Sequence, residues 1–148
     1  MDRVFLDASV LFAAAYRARA GIRCLWSLAD VELVTTSYVC REVESNLLEV
    51  DEQGRPKEPE QVRIEKLDRF LALLRSVQIA ADPADRPLPD GIELPEKDRP
   101  ILLAAIACQA THLLTADKQH FGAHSGKTIE GVLVLPPDQF LKSRSHGS

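Results

Sequence analysis

Short apolar segments alternate with longer helical ones along almost the whole chain, and this alternation restricts the fold more than any other feature. Residues 4–6 (VFL), 32–35 (ELVT), 77–81 (VQIAA), 112–115 (HLLT) and 132–135 (VLVL) have the length and apolar character of strands. The segments between them space their apolar residues as helices do. Residues 8–20 form an Ala-rich helix with Ser9 near its start, and residues 22–28 continue helically after Gly21. Residues 38–50 make the next helix, with Ser37 placed to cap it, because its hydroxyl can accept from a free first-turn amide. Residues 61–75 carry apolar side chains at 64, 67, 70, 71 and 74. Residues 101–110 are an apolar helix expected to be buried on several sides. "PPDQFL" opens a last short helix, since prolines are tolerated in a first turn. Strands that alternate with helices pair in parallel and need right-handed crossovers. The expected class is therefore α/β, a three-layer α/β/α sandwich on a mostly parallel sheet of about five strands. All strand C-termini then share one edge of the sheet.

A chain of 148 residues, 45% hydrophobic and 27% charged, can bury one core without disulfides or a structural metal. We expect a single domain over residues 1–142 and a disordered tail over 143–148. "DEQGRPKEPE" (51–60) and the proline-rich stretch 82–95 are read as loops on that domain. Cys24, Cys40 and Cys108 are odd in number, far apart and lack a CxxC pair, which points to buried thiols in a reducing cytoplasm and to no zinc site. The N-terminus imitates a signal peptide, but Asp7 interrupts its apolar stretch, so no export is expected. No apolar run approaches the ~20 residues that cross a bilayer. The net charge of −4 excludes nucleic-acid binding through a broad basic surface. It leaves room for an acidic pocket that needs a divalent cation before it can face a phosphate.

Five acids belong to the active edge of such a sheet. Asp7 ends the first strand and Asp117 follows the fourth. These two strands can be neighbours where the strand order reverses, the crevice in which α/β proteins bind ligands. Asp98 lies just before the apolar helix that leads into the fourth strand. Glu42 and Glu44 lie early in the helix after the second strand. At ~100° per residue they flank opposite sides of the stripe Val39, Val43, Leu47 and Val50, so helix geometry does not choose between them. Asn46 shares the flank of Glu42, one turn on. Each acid also has an ordinary structural explanation: Asp7 and Asp98 as helix caps, Asp117 as a loop residue, and the glutamates as solvated charges. Yet an unpaired carboxylate inside the apolar run 4–15 is costly to bury. Carboxylates held together repel unless a cation neutralises them, and hard oxygen ligands suit Mg²⁺ or Mn²⁺. Such an ion can activate water toward a phosphodiester. No nucleotide-binding glycine motif is present. His120 lies near Asp117 and is read as a surface residue.

The segments "FLDASVL", "TSYVCREVESNL", "EKDRPILLAAIACQATHLLTADKQHF" and "GVLVLPPDQFL", in this order from residue 4 to about 142, resemble a PIN domain of the small prokaryotic VapC-like type. The resemblance implies a PIN-like fold and a metal-dependent endoribonuclease cleaving RNA, of the toxin kind paired with an antitoxin protein. Its acidic quartet falls on Asp7, Glu42, Asp98 and Asp117, which would serve as catalytic residues and as ligands of Mg²⁺ (or Mn²⁺). The spacing of "TS…RE" favours Glu42 over Glu44. Ser9, Thr115 and Asn46 match positions that orient ligands or contact substrate. A homodimer, an RNA substrate, a cytoplasmic location and no membrane association complete what is implied. The insertion at 51–60 and the stretch 82–95 depart from the family's usual form and bear on substrate and partner choice.

Other classes fit less well. A PIN-like nuclease of RNA processing or DNA structure cleavage would carry the same acids, and a neighbouring antitoxin gene would separate it from a toxin. A non-catalytic nucleic-acid-binding PIN domain conflicts with the complete quartet. A dehalogenase-like phosphotransfer site needs D-x-D after the first strand, and Ser9 occupies the third position. A receiver domain needs acids before that strand's aspartate, and "RVFLD" has none.

Overall fold

The structure is a computed structural model that describes residues 1–17 and 19–145. Strands β1 (Asp2–Leu6), β2 (Val31–Thr36) and β3 (Val77–Ala80) form one half of the sheet. Strands β4 (His112–Leu114), β5 (Thr128–Ile129) and β6 (Val132–Leu135) form the other. The order is β3-β2-β1-β4-β6-β5, and every pair is parallel except β5 with β6. The strand order reverses between β1 and β4, as expected. Two-residue β5 is the strand the apolar pattern does not disclose. It exists because Glu130 (φ 46°) and Gly131 (φ 86°) turn the chain back onto β6. Positive φ at both residues is what a tight two-residue hairpin turn requires, which Gly131 meets freely and Glu130 at a cost.

Among the described residues, six α-helices accompany the sheet: α1 (Ala8–Tyr16), α2 (Ser37–Leu47), α3 (Glu60–Leu74), α4 (Arg99–Ala107), α5 (Lys118–Phe121) and α6 (Pro137–Ser145). The buried apolar side chains of strands and helices form one cluster that includes Phe5, Leu11, Val34, Val43, Phe70, Leu102, Leu113, Val134 and Phe140. The proline-rich stretch is laid down on this cluster through Leu88, Ile92 and Leu94.

Several expected boundaries move, each for a local reason. Helix α1 stops at Tyr16 instead of residue 20. Arg17 is extended, and the guanidinium of Arg69 takes the free carbonyls of Ala15 (2.9 Å) and Tyr16 (3.1 Å) in place of another helical turn. Residues Gly21–Ser27 are helical but of the tighter 3₁₀ type. Thr36 caps α2 instead of Ser37, its hydroxyl accepting from the Val39 amide at 3.4 Å. That helix ends at Leu47 and α4 ends at Ala107, three residues short of expectation in each case. On α3, Phe70 and Leu73 are buried, while Ile64 and Leu71 are exposed. The expected disordered tail starts too early. Helix α6 includes residues 143–145, with Ser143 bonded to the Phe140 carbonyl and Arg144 paired with Asp2 and Asp30. Residues 146–148 of that tail lie outside the described residues. The thiols are free, but Cys24 is exposed and Cys40 and Cys108 are only half-buried. No helix of the described residues is long and apolar enough to cross a membrane.

Candidate functional site

The tips of β1 and β4 are tied together by the Asp7 amide, which donates to the Leu114 carbonyl at 3.1 Å. Asp7 is 4% exposed, and its carboxylate is held on both oxygens. Oδ1 accepts from the Ala8 amide (2.7 Å). Oδ2 accepts from the hydroxyls of Thr115 (2.7 Å) and Ser9 (3.1 Å). The same two hydroxyls fix the turn after β4. Ser9 Oγ accepts from the Ala116 amide and Thr115 Oγ1 from the Asp117 amide. Asp7 therefore does cap α1, as its ordinary explanation has it, and it remains a buried carboxylate as well. Burial pushes its pKa above the usual carboxylate range. The bonds from Thr115, Ala8 and Ser9 oppose that rise, and the charge of Asp117 adds to it.

Asp98 behaves differently. It occupies the N-cap position of α4, with Pro100 in the first turn, yet its side chain makes no capping bond. It is 4% exposed, and its Oδ2 accepts no hydrogen bond, although His120 Nδ1 lies 2.8 Å away. A buried carboxylate oxygen without a partner is costly, and a cap explanation does not account for this one. Burial raises the Asp98 pKa first. His120 and Lys97 lower it, and Asp7 and Asp117 raise it. Asp117 caps the short α5 by accepting from the His120 amide at 3.1 Å, which leaves Oδ2 facing the site.

The structure separates the two glutamates that helix geometry left equal. Half-buried Glu42 has its pKa raised by burial, by Asp7, and further by Asp98 and Asp117, with Lys97 opposing. Glu44 instead exerts its charge on the Cys40 thiol, on the other flank of α2. Asp7, Glu42, Asp98 and Asp117 thus lie within electrostatic reach of one another, and Ser9 and Thr115 bond directly to Asp7. Asn46 is exposed and bonds to none of the four among the described residues.

His120 is the residue that sequence reasoning placed wrongly. Its side chain is 20% exposed, and Nδ1 lies 2.8 Å from Asp98 Oδ2 and 2.9 Å from Asp117 Oδ2. Asp98, Asp117 and His120 bring their ligand-type atoms within 4.8 Å of one another. The available signal was the i, i+3 spacing from Asp117, which puts the two side chains on one face of a helical turn. Tyr38 was also missed. Its hydroxyl donates to the Lys97 carbonyl at 2.6 Å, and burial, Glu42 and Asp98 raise its pKa. It pins the start of α2 to the segment that leads into α4.

Three carboxylic groups whose pKa values are all raised, one of them with an unpartnered oxygen, fit a divalent cation. The cation would remove the mutual repulsion and fill the open lone pair.

No protein-family model matches the chain, and no curated protein sequence matches it. Among solved structures, it is similar to a chain of VapBC2 from Rickettsia felis, in a structure of VapBC2 bound to a DNA fragment from its promoter. The TM-score is 0.61 at 12% identity, covering 90% of this chain and 98% of the other. At that identity the likeness speaks for the fold, and the chain has a PIN-like α/β/α architecture.

Proposed function

We propose that this chain is a PIN-domain endoribonuclease of the toxin type, which hydrolyses RNA phosphodiester bonds with Mg²⁺ or Mn²⁺ held by Asp7, Glu42, Asp98 and Asp117. The observation that carries the proposal is Asp98: a buried carboxylate among other acids, whose Oδ2 touches His120 Nδ1 without accepting a hydrogen bond. The sequence resemblance supplies the substrate, RNA, and the likeness to a VapBC2 chain supports the toxin kind and an antitoxin partner. Exposed Leu48, just past α2, and Ile64 and Leu71 on α3 give such a partner, or a second copy, apolar surface to cover. The proposal includes a single nuclease domain over residues 1–142 and a cytoplasmic location.

When bound, the divalent ion lowers the pKa of a coordinated water and neutralises charge that develops at the phosphodiester. The rest is done by the chain. Ser9 and Thr115 hold the Asp7 carboxylate in one orientation through its Oδ2, so that geometry is set before anything binds. The amide of His120 fixes Asp117. Exposed Lys97, whose charge acts on Glu42 and Asp98, stands beside the acids, where it can meet a phosphate. Asn46, one turn beyond Glu42 and exposed, is placed to contact a bound strand.

The test is cleavage of RNA by the pure protein. Activity should vanish in excess EDTA, return with Mg²⁺ or Mn²⁺, and be absent from Asp7→Asn. Full cleavage in chelator would contradict the metal mechanism, and full cleavage by Asp7→Asn would contradict the site.

A further inference from the structure

We infer that His120 is itself a ligand of the metal, giving the acidic site one nitrogen donor and a preference for first-row transition ions such as Mn²⁺ over Mg²⁺. The inference rests on the acidic metal site proposed above and adds a residue and an ion preference to it.

Three observations carry it. First, His120 Nδ1 lies 2.8 Å from Asp98 Oδ2 and 2.9 Å from Asp117 Oδ2, closer than solvated surface charges need to be. Second, these approaches are not hydrogen bonds. Both Nδ1 and Asp98 Oδ2 are buried and lack any partner of acceptable geometry, despite being in contact. A ring N–H aimed at a carboxylate would give a near-linear bond, and the interaction weakens steeply when it is bent. Both contacts are short enough for ion pairs with a protonated ring, and equally for neighbouring ligands of one ion. Adjacent ligands of an octahedral ion with bonds of about 2.1 Å are about 3.0 Å apart, close to the two distances seen here. Third, the backbone places the ring. Asp117 Oδ1 accepts from the His120 amide, and the resulting turn brings the imidazole back over Asp117 Oδ2 and toward Asp98.

The other described histidines are engaged elsewhere. His124 Nε2 lies 3.0 Å from the Glu93 carbonyl, and His112 Nδ1 is 2.8 Å from Thr111 Oγ1 with its ring edge-on to Phe140. Ligation through Nδ1 uses the neutral ring with its proton on Nε2. Mg²⁺ is a hard ion that takes oxygen ligands and gives up water reluctantly. Imidazole nitrogen binds first-row transition ions better, so one such donor shifts the site away from Mg²⁺.

The experiment is titration of the whole protein and of His120→Asn and His120→Gln with Mn²⁺ alone and Mg²⁺ alone. Pulsed electron paramagnetic resonance of the Mn²⁺-loaded samples accompanies it. The wild type should bind Mn²⁺ with the nitrogen coupling of a coordinated imidazole. Both variants should lose that coupling while still binding Mn²⁺. Their preference for Mn²⁺ over Mg²⁺ should fall by about 10-fold or more, the least expected when a ligand rather than its outer support is removed. Binding without nitrogen coupling in the wild type, coupling that persists in both variants, or an unchanged ion preference would overturn the assignment of His120 and leave the acidic site standing. Absence of any Mn²⁺ binding by the wild type would instead overturn the acidic site, and His120 with it.

Discussion

At the scale of single residues, Asp98 and Thr115 make opposite predictions. Burial outweighs the contact with His120 in setting the Asp98 pKa, and Oδ2 has no hydrogen bond to lose, so Asp98→Asn should leave the metal-free protein at least as stable as wild type at neutral pH. The sign of the pH dependence follows from its raised pKa. Between the ordinary carboxylate value and the raised one, the folded state binds more protons than the unfolded state, so wild-type stability falls as pH rises through that window. The advantage of Asp98→Asn should therefore be largest at neutral pH and disappear on acidification, which thermal melts across pH would read. Thr115 is buried, gives its hydroxyl proton to Asp7 and receives the Asp117 amide. Thr115→Val strands two groups and should cost about 2 kcal/mol in a denaturant titration, while Thr115→Ser should recover most of it. Glu42 and Glu44 give the matching test of function. Glu42→Gln should lower RNA cleavage by about 100-fold or more, and Glu44→Gln should leave it nearly unchanged. Equal loss from both would move the ligand off the assigned flank of α2.

At the scale of elements, the C-terminus of α4 shows what apolar periodicity cannot reveal. The helix closes with Gln109 at φ 57°, the Ala110 amide returning to the Ala105 carbonyl and the Gln109 amide to Ile106. This is a Schellman closure, which usually has glycine at the left-handed position. The sequence carries Gln there, and so residues 108–110 read as more helix. Gln109→Gly should stabilise the protein by about 0.5–1 kcal/mol, the left-handed strain of a side chain less the extra chain entropy of glycine. A drop in melting temperature would show the strain to be absent. The alternation of strands and helices was legible because 4–6, 113–114 and 132–135 are apolar throughout and lie on interior strands of the sheet. The end of α1 at Tyr16 was not, because it depends on Arg69, more than 50 residues away. The short β5 was not, because two residues carry no period.

At the scale of the whole molecule, the parallel order with its reversal between β1 and β4 gathers acids from four distant stretches onto one edge. Asp7 and Asp117 were legible as strand-tip carboxylates, and Asp98 as an acid before a helix. Its failure to cap was not legible, because that depends on how residues 95–98 turn before α4. Helix geometry could not choose Glu42 over Glu44, a choice that came from the resemblance alone, and His120 required the turn that Asp117 closes. The central claim is that this convergence exists to hold a cation. The most direct measurement is the melting temperature of wild type, Asp98→Asn and Asp117→Asn, each with and without Mn²⁺. Mn²⁺ should raise the wild-type midpoint by mass action, by about 2.7 kcal/mol of stability at a concentration 100 times the dissociation constant. Both variants should start at or above the metal-free wild type and gain little from the ion. A wild type that Mn²⁺ leaves unmoved, or variants that respond in full, would contradict the account.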